Sequence, residues 1–434
     1  MKRIISLLVA LLLVLGTFAI ASAEDKAQID VWFCLTGKNA DALNAIANAF
    51  NESQDKYQVN FIFAGSYNDA LTKYLSTPVA DRPDILCVNA LGMRPVIDDK
   101  GYFNMQKLVD EGKFDVSVYP ESLLHNFSNQ DGLYAMVQNL TVPVISYNKT
   151  YLEKVGCTPD DLATWDGVVA VADKMVAAGL CSYGFGFCKD TWILEQMIGM
   201  LGESVLDNDN GRDGYATKLE CSENGSLLKV LETVDAVLAN DSCYLAANAS
   251  SARDDCSAGV VGMYCTTAGT WGNMLANCVN GYEFGQTVMP AWDTENEYNS
   301  VYPSGAGFFI VDKGDMDRIY AANDFINWFC SDDMQLLWCM ETGYLPISSS
   351  VLYSDQYQEY VKNVNPGIQR VIEEMFNKST GTDPHFGSLS EWRAAAQSVL
   401  TQLDEDAGYT PAQAVEDLKA QINDAIELYN LSNY

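Results

Sequence analysis

Residues 29–63 read IDVWFCLTGKNADALNAIANAFNESQDKYQVNFIF. Residues 29–33 form a predicted first strand, running into a loop at 34–38. Leu43, Ile46, Ala47 and Phe50 follow at the i, i+3, i+4, i+7 spacing of a helix that packs one face on a sheet. Tyr57, Val59, Phe61 and Phe63 then alternate as a second strand, and the run Ile85 to Val88 is a short buried third. This strand–helix–strand–helix order implies a parallel sheet with helices on its faces, so the fold class is α/β.

The same grammar continues outward. Residues 164–178 read as a helix, with Thr164 as N-cap and Gly179 as its stop. Thr410-Pro411 opens a closing helix whose Val415, Leu418, Ile422, Ala425 and Tyr429 form one apolar stripe. The Asn/Asp/Gly-rich residues 206–215 read as a surface loop, and no repeat or low-complexity tract interrupts the chain. A chain of 434 residues is too long for one ordinary core and fits two lobes.

The beginning of the sequence sets the compartment. Lys2 and Arg3 precede an apolar run from Ile4 to Ile20, and Ala21-Ser22-Ala23 supplies the small residues of a cleavage site. This is the layout of a secretory signal peptide over residues 1–23. The run approaches the ~20 residues that span a bilayer, but no basic flank follows it. No cysteine for lipid attachment stands near the site. The expectation is a soluble, exported protein, periplasmic or extracellular.

The formal net charge is −32, and removing Lys2 and Arg3 makes it more negative. That opposes nucleic acid and anionic membranes, whose binding relies on clustered Lys and Arg. An anionic ligand would need a local cation or backbone N–H groups. The twelve cysteines are spread through apolar segments such as Trp328-Phe329-Cys330, and they read as small buried hydrophobes. With two histidines and no CxxC, neither a metal nor a cofactor is implied.

Five segments carry a likeness to a known family. Gly65-Ser66-Tyr67, residues 142–149 (VPVISYNK), Thr164-Trp165-Asp166, residues 304–309 (SGAGFF) and 342–347 (TGYLPI) occur in order at suitable intervals. Together they resemble the extracellular solute-binding proteins of carbohydrate ABC importers (the family 1 type), above all the members that bind sn-glycerol-3-phosphate. The resemblance implies two α/β lobes joined by chain crossings, a ligand cleft between them and closure about a hinge. It also implies a small polyhydroxylated ligand, permease subunits of an ABC importer as membrane partners, and a monomer.

Carried over position by position, the family's ligand contacts fall on Tyr67, Thr141, Trp192, Thr267, Gly305, Tyr344 and Arg393. Thr141 and Thr267 replace serines. Where the family has a glutamate that accepts from glycerol hydroxyls, this chain has Ala90. That departure predicts weaker binding of glycerol-3-phosphate itself and room for a glycerophosphodiester or sugar. The residue types suit the task. Arg393 can fork onto phosphate or vicinal hydroxyls, the tyrosines offer a ring face and a hydroxyl, and Gly305 admits close backbone approach. Each also has an ordinary reading, Arg393 as a solvated helix residue, Trp192 as core and the threonines as strand ends.

Lobe one is expected over residues 24–138 plus 268–310, and lobe two over 139–267 plus 311–434. A secreted carbohydrate-active enzyme is the rival reading, since carboxylates abound. Yet nothing singles out a pair at glycosidase spacing, and no G-x-S-x-G is present. An adhesin would show repeats or an anchor. The reading is therefore a binding protein and not an enzyme.

Overall fold

The computed structural model describes residues 26–278, 280–292 and 300–433, so the leader expected at 1–23 lies outside the described residues. Ten strands build two sheets: β1 (Ala27–Phe33), β2 (Tyr57–Phe63), β3 (Ile85–Val88), β4 (Met136–Val137), β5 (Pro143–Asn148), β6 (Tyr183–Cys188), β7 (Cys243–Ala246), β8 (Val261–Thr267), β9 (Phe284–Thr287) and β10 (Gly307–Ile310). The first sheet runs β2-β1-β3-β10-β4 and the second β9-β5-β8-β6-β7. β1 pairs in parallel with β2 and β3, as the alternating strand and helix pattern requires. β10 returns antiparallel to β3, placing Gly307 opposite Val88.

Every residue of β3, β5 and β10 is buried, which explains the apolar run of β3. Helix Lys38–Ser53 buries Leu43, Ile46, Ala47 and Phe50, the face read from the sequence. Helix Trp165–Ala177 is capped by Thr164, whose hydroxyl accepts from Gly167 N at 3.1 Å. Helix Pro411–Asn433 buries Val415, Leu418 and Ile422, with Ile426 continuing the stripe.

The chain passes between the sheets three times, and the crossings lie side by side. Thr141 N donates to Ser304 O at 2.9 Å, Ser304 N returns to Thr141 O at 3.1 Å, and Leu345 N donates to Leu140 O at 2.8 Å. These adjacent crossings join the two sheets, the arrangement of a hinge.

Two expectations are corrected. The boundaries shift, because β9 (Phe284–Thr287) pairs with β5 of the second sheet rather than joining lobe one. Helices Met316–Phe329 and Asp332–Thr342 pack on helix Lys38–Ser53, so they belong with the first sheet rather than lobe two. Strand pairing and helix docking over long separations decide membership, and local pattern does not report them. Second, residues 206–215 are not a plain surface loop. Asn208, Asp209 and Asn210 take left-handed φ of 54°, 53° and 51°, which short polar residues tolerate. The turn carries Asn210 and Arg212 inward, where both are buried.

Candidate functional site

The ends of strands from both sheets open on one cavity of about 150 Å³. Its walls include all seven sequence-expected residues, Tyr67, Thr141, Trp192, Thr267, Gly305, Tyr344 and Arg393. Asn89, Ala90, Asn139, Asp190, Ser304 and Ala306 complete the lining.

Tyr67 opens a helix whose Ser66 cap is reciprocal: Asp69 N donates to Ser66 Oγ at 3.2 Å, and Ser66 N to Asp69 Oδ2 at 2.9 Å. Asn139, on the first crossing, ties the aromatic wall together. Its Nδ2 donates to Tyr67 Oη at 3.1 Å and to Tyr344 Oη at 3.4 Å, while its Oδ1 accepts from Ala306 N. Burial raises both phenols above their ordinary range, so they face the cavity as neutral hydroxyls. Thr141 and Thr267 share a 2.6 Å hydroxyl contact, and Gly269 N donates to both.

On the opposite wall Trp192 Nε1 donates to Ser304 Oγ at 3.0 Å. Ser304 Oγ in turn donates to Asp383 Oδ2 at 2.6 Å, which also accepts from Asn126 Nδ2 at 3.0 Å. Arg212 closes this floor, donating to Asp383 O at 2.7 Å, Thr382 Oγ1 at 2.9 Å and Asn126 O at 3.1 Å. The indole is therefore held by a polar network reaching segments far apart in sequence. Burial raises the Asp383 carboxyl despite its donors.

Arg393 is the guanidinium of the cavity, and its side chain is largely covered, at 14% exposure. Its Nε and one terminal nitrogen each lie 3.4 Å from an oxygen of fully buried Glu195. Glu195 Oε1 also accepts from Trp392 Nε1 at 2.9 Å. At 3.4 Å the pairing is loose, so desolvation outweighs it and lifts Glu195 to about 7. Burial alone would lower Arg393, but Glu195 and Asp190 overcome it and keep the cation.

Gly305 has a packing reason to be glycine beside its place in the cavity wall. Its φ is +141°, and a Cβ there would sit 2.1 Å from the carbonyl oxygen of Asn139. Packing of two crossings already forbids a side chain, whatever the cavity holds. Asn139, Asp190, Ser304 and Glu195 escaped the sequence reading. Asp190 leaves a local signal, as the N-cap of helix Thr191–Met200 with its Oδ1 accepting from Trp192 N at 3.2 Å. Ser304 opens the SGAGFF segment, though no contact was read for it, and Asn139 and Glu195 leave no signal. Among the described residues no His, Cys, Asp and Glu cluster could hold a metal ion, and all twelve cysteines are free thiols.

The family described as bacterial extracellular solute-binding protein matches residues 45–365. The sn-glycerol-3-phosphate-binding periplasmic protein UgpB of Yersinia pseudotuberculosis is 24% identical over 387 residues, covering 86% of this chain and 85% of its own. Its counterpart from Brucella melitensis is 26% identical over 377 residues, covering 85% and 84%. Among solved structures, UgpB from Mycobacterium tuberculosis in complex with glycerophosphocholine superposes with a TM-score of 0.79 at 16% identity, over 94% of this chain and 100% of that one. The cyclic alpha-maltosyl-1,6-maltose binding protein of Arthrobacter globiformis gives 0.72 at 18% identity, over 93% and 100%. These structures share the two-lobed fold.

Proposed function

The chain belongs to the bacterial extracellular solute-binding proteins, ligand-capturing components of ABC importers rather than enzymes, and we propose that its ligand is a polyol phosphate, glycerophosphodiester or carbohydrate held between the lobes. The observation that carries this reading is the make-up of the cavity. One guanidinium and one carboxylate stand among two phenols, an indole, two asparagines and three hydroxyls, contributed by both sheets and by the crossings. Aromatic faces suit the carbon skeleton of a polyol, and the polar groups suit its oxygens. The relatives named for sn-glycerol-3-phosphate support the phosphate-bearing end of this range. Ala90, lining the cavity in place of a carboxylate, supports a ligand bulkier than glycerol-3-phosphate.

In this reading Tyr67, Thr141, Trp192, Thr267, Tyr344 and Arg393 contact the ligand, while Gly305 lets the crossings meet. Ligand bridging both lobes favours the closed state by its differential affinity for it. The protein acts as a monomer that docks on permease subunits in its closed form. A thermal-shift screen across phosphorylated polyols, glycerophosphodiesters and neutral sugars tests the ligand class. A true ligand at a hundredfold excess over Kd stabilises by ~2.7 kcal/mol. No shift with any of the three classes refutes the reading. Small-angle scattering should show a monomer that compacts with the same ligand, and unchanged profiles refute the closure.

A further inference from the structure

Asp383 and Asn126 stand behind the cavity wall: neither is among the residues that line it, and both are fully buried. They form a reciprocal pair. Asp383 N donates to Asn126 Oδ1 at 2.8 Å, and Asn126 Nδ2 donates to Asp383 Oδ2 at 3.0 Å. Asn126 sits with the first sheet, since its carbonyl accepts from Tyr134 Oη at 3.0 Å and the Tyr134 ring stacks on Phe309 of β10 at 5.6 Å. Asp383 lies between helices Ile368–Lys378 and Leu389–Glu405, which pack on β9 of the second sheet and on helix Thr191–Met200. The pair therefore joins the two lobes through side chains, next to the crossings that join them through backbone.

We infer that Asp383 is a positioning residue of the cleft: it sets the pose of the Trp192 indole through the Ser304 hydroxyl and registers that pose to the first lobe through Asn126. The count of protons carries this. A hydroxyl has one proton to give, and an indole N–H can only donate. Ser304 Oγ gives its proton to Asp383 Oδ2 at 2.6 Å, which leaves its lone pairs to accept from Trp192 Nε1 at 3.0 Å. Ser304 has little freedom to find another arrangement, because its backbone N and O are both bonded to Thr141 within the crossings. Arg212 fixes the pair behind it, donating to Asp383 O at 2.7 Å and to Asn126 O at 3.1 Å. Without the Asp383 acceptor the Ser304 hydroxyl is free to turn its proton elsewhere, and the indole loses a directed partner. The inference rests on the reading of Trp192 as a ligand contact, proposed above.

Magnetic resonance of the indole N–H groups in isotope-labelled protein tests it without any ligand. Of the eight tryptophans, Trp192 is identified by the signal lost in Trp192→Phe. Asp383→Asn keeps an oxygen where Oδ2 accepts and puts its amide nitrogen where Oδ1 has no hydrogen-bond partner among the described residues. The Trp192 signal should therefore stay in place in that variant. Asp383→Ala should move the signal and speed its exchange with solvent. Calorimetry with sn-glycerol-3-phosphate, glycerophosphocholine and maltose is the second readout. Any probe that binds the unmodified protein should bind Asp383→Asn almost equally and Asp383→Ala about tenfold more weakly, as when an aromatic anchor is displaced. If Asp383→Ala lowers the melting temperature but leaves the Trp192 signal and the affinity unchanged, Asp383 is merely structural and the inference is overturned. A shift as large in Asp383→Asn as in Asp383→Ala overturns it too. Where Asp383→Ala fails to fold, neutron diffraction of the deuterated unmodified protein decides. The Ser304 deuteron should lie toward Asp383 Oδ2, and one turned into the cavity overturns the inference. If no probe binds the unmodified protein, that counts against the ligand reading alone, and the indole signal still decides the role of Asp383.

Discussion

Glu195 is fully buried behind Arg393, and replacing it by glutamine separates charge from shape. Burial lifts this carboxyl from its ordinary 4.5 to about 7. In the unfolded chain it ionises near 4.5, so between the two values the unfolded state releases a proton that the folded state keeps. Below the lower value both states are protonated and the site costs nothing. Stability then declines as pH rises through the window, and above about 7 the loss is complete at about 3 kcal/mol. Glu195→Gln removes that slope. It keeps an acceptor for Trp392 Nε1, now 2.9 Å from Oε1, and leaves Arg393 without its counter-charge at every pH. The difference between variant and parent at any one pH therefore mixes two terms, but its change with pH reports the Glu195 titration. Measured by urea unfolding, that difference should move in favour of the variant by about 3 kcal/mol from pH 4 to pH 8. Asp383 titrates in both proteins and largely cancels. Ligand binding gives a second readout. A phosphodiester keeps its charge over this range, so its affinity for the parent should rise as Glu195 is protonated below pH 7, while the variant's stays level. A pH-independent stability difference refutes the argument, because it leaves Glu195 ionising alike in both states.

Gly305→Ala should destabilise the fold by about 2–5 kcal/mol, from the left-handed backbone and a Cβ pressed against Asn139 O. An unchanged urea midpoint refutes it. Trp192→Ala should weaken ligand binding by about 1–3 kcal/mol with the fold retained, since the indole lines the cavity, is only partly buried and is held through Ser304. Calorimetry showing full affinity returns Trp192 to a purely structural role. Thiol titration of the native protein should find slow, partial reaction at Cys34, Cys181 and Cys278, the three that are not fully buried, and all twelve on denaturation. Burial pushes the Cys34 thiol up to about 12, which further slows its reaction. Fewer than twelve thiols in denaturant indicates disulfides.

Local pattern and tertiary closure divide this protein cleanly. The sequence by itself determined the α/β class, because periods of 2 and 3.6 report which face of a segment is buried. Leu43, Ile46, Ala47 and Phe50 lie on the buried side for that reason. The Thr164 cap is equally local. Likeness to a family, position by position, marked the seven residues that line the cavity, although Gly305 proves to be a glycine through its contact with Asn139. Only the tertiary structure decided which distant segments are neighbours. Strand β9 joins the second sheet and helices Met316–Phe329 and Asp332–Thr342 join the first, through pairings that no local window contains. The polar residues 206–215 looked solvated, yet Arg212 is buried because carbonyls 86 and 171 residues away accept its hydrogens. Asn139 and Glu195 stayed silent for the same reason. A polar side chain announces no role until the chain crossings bring its partners within hydrogen-bonding distance.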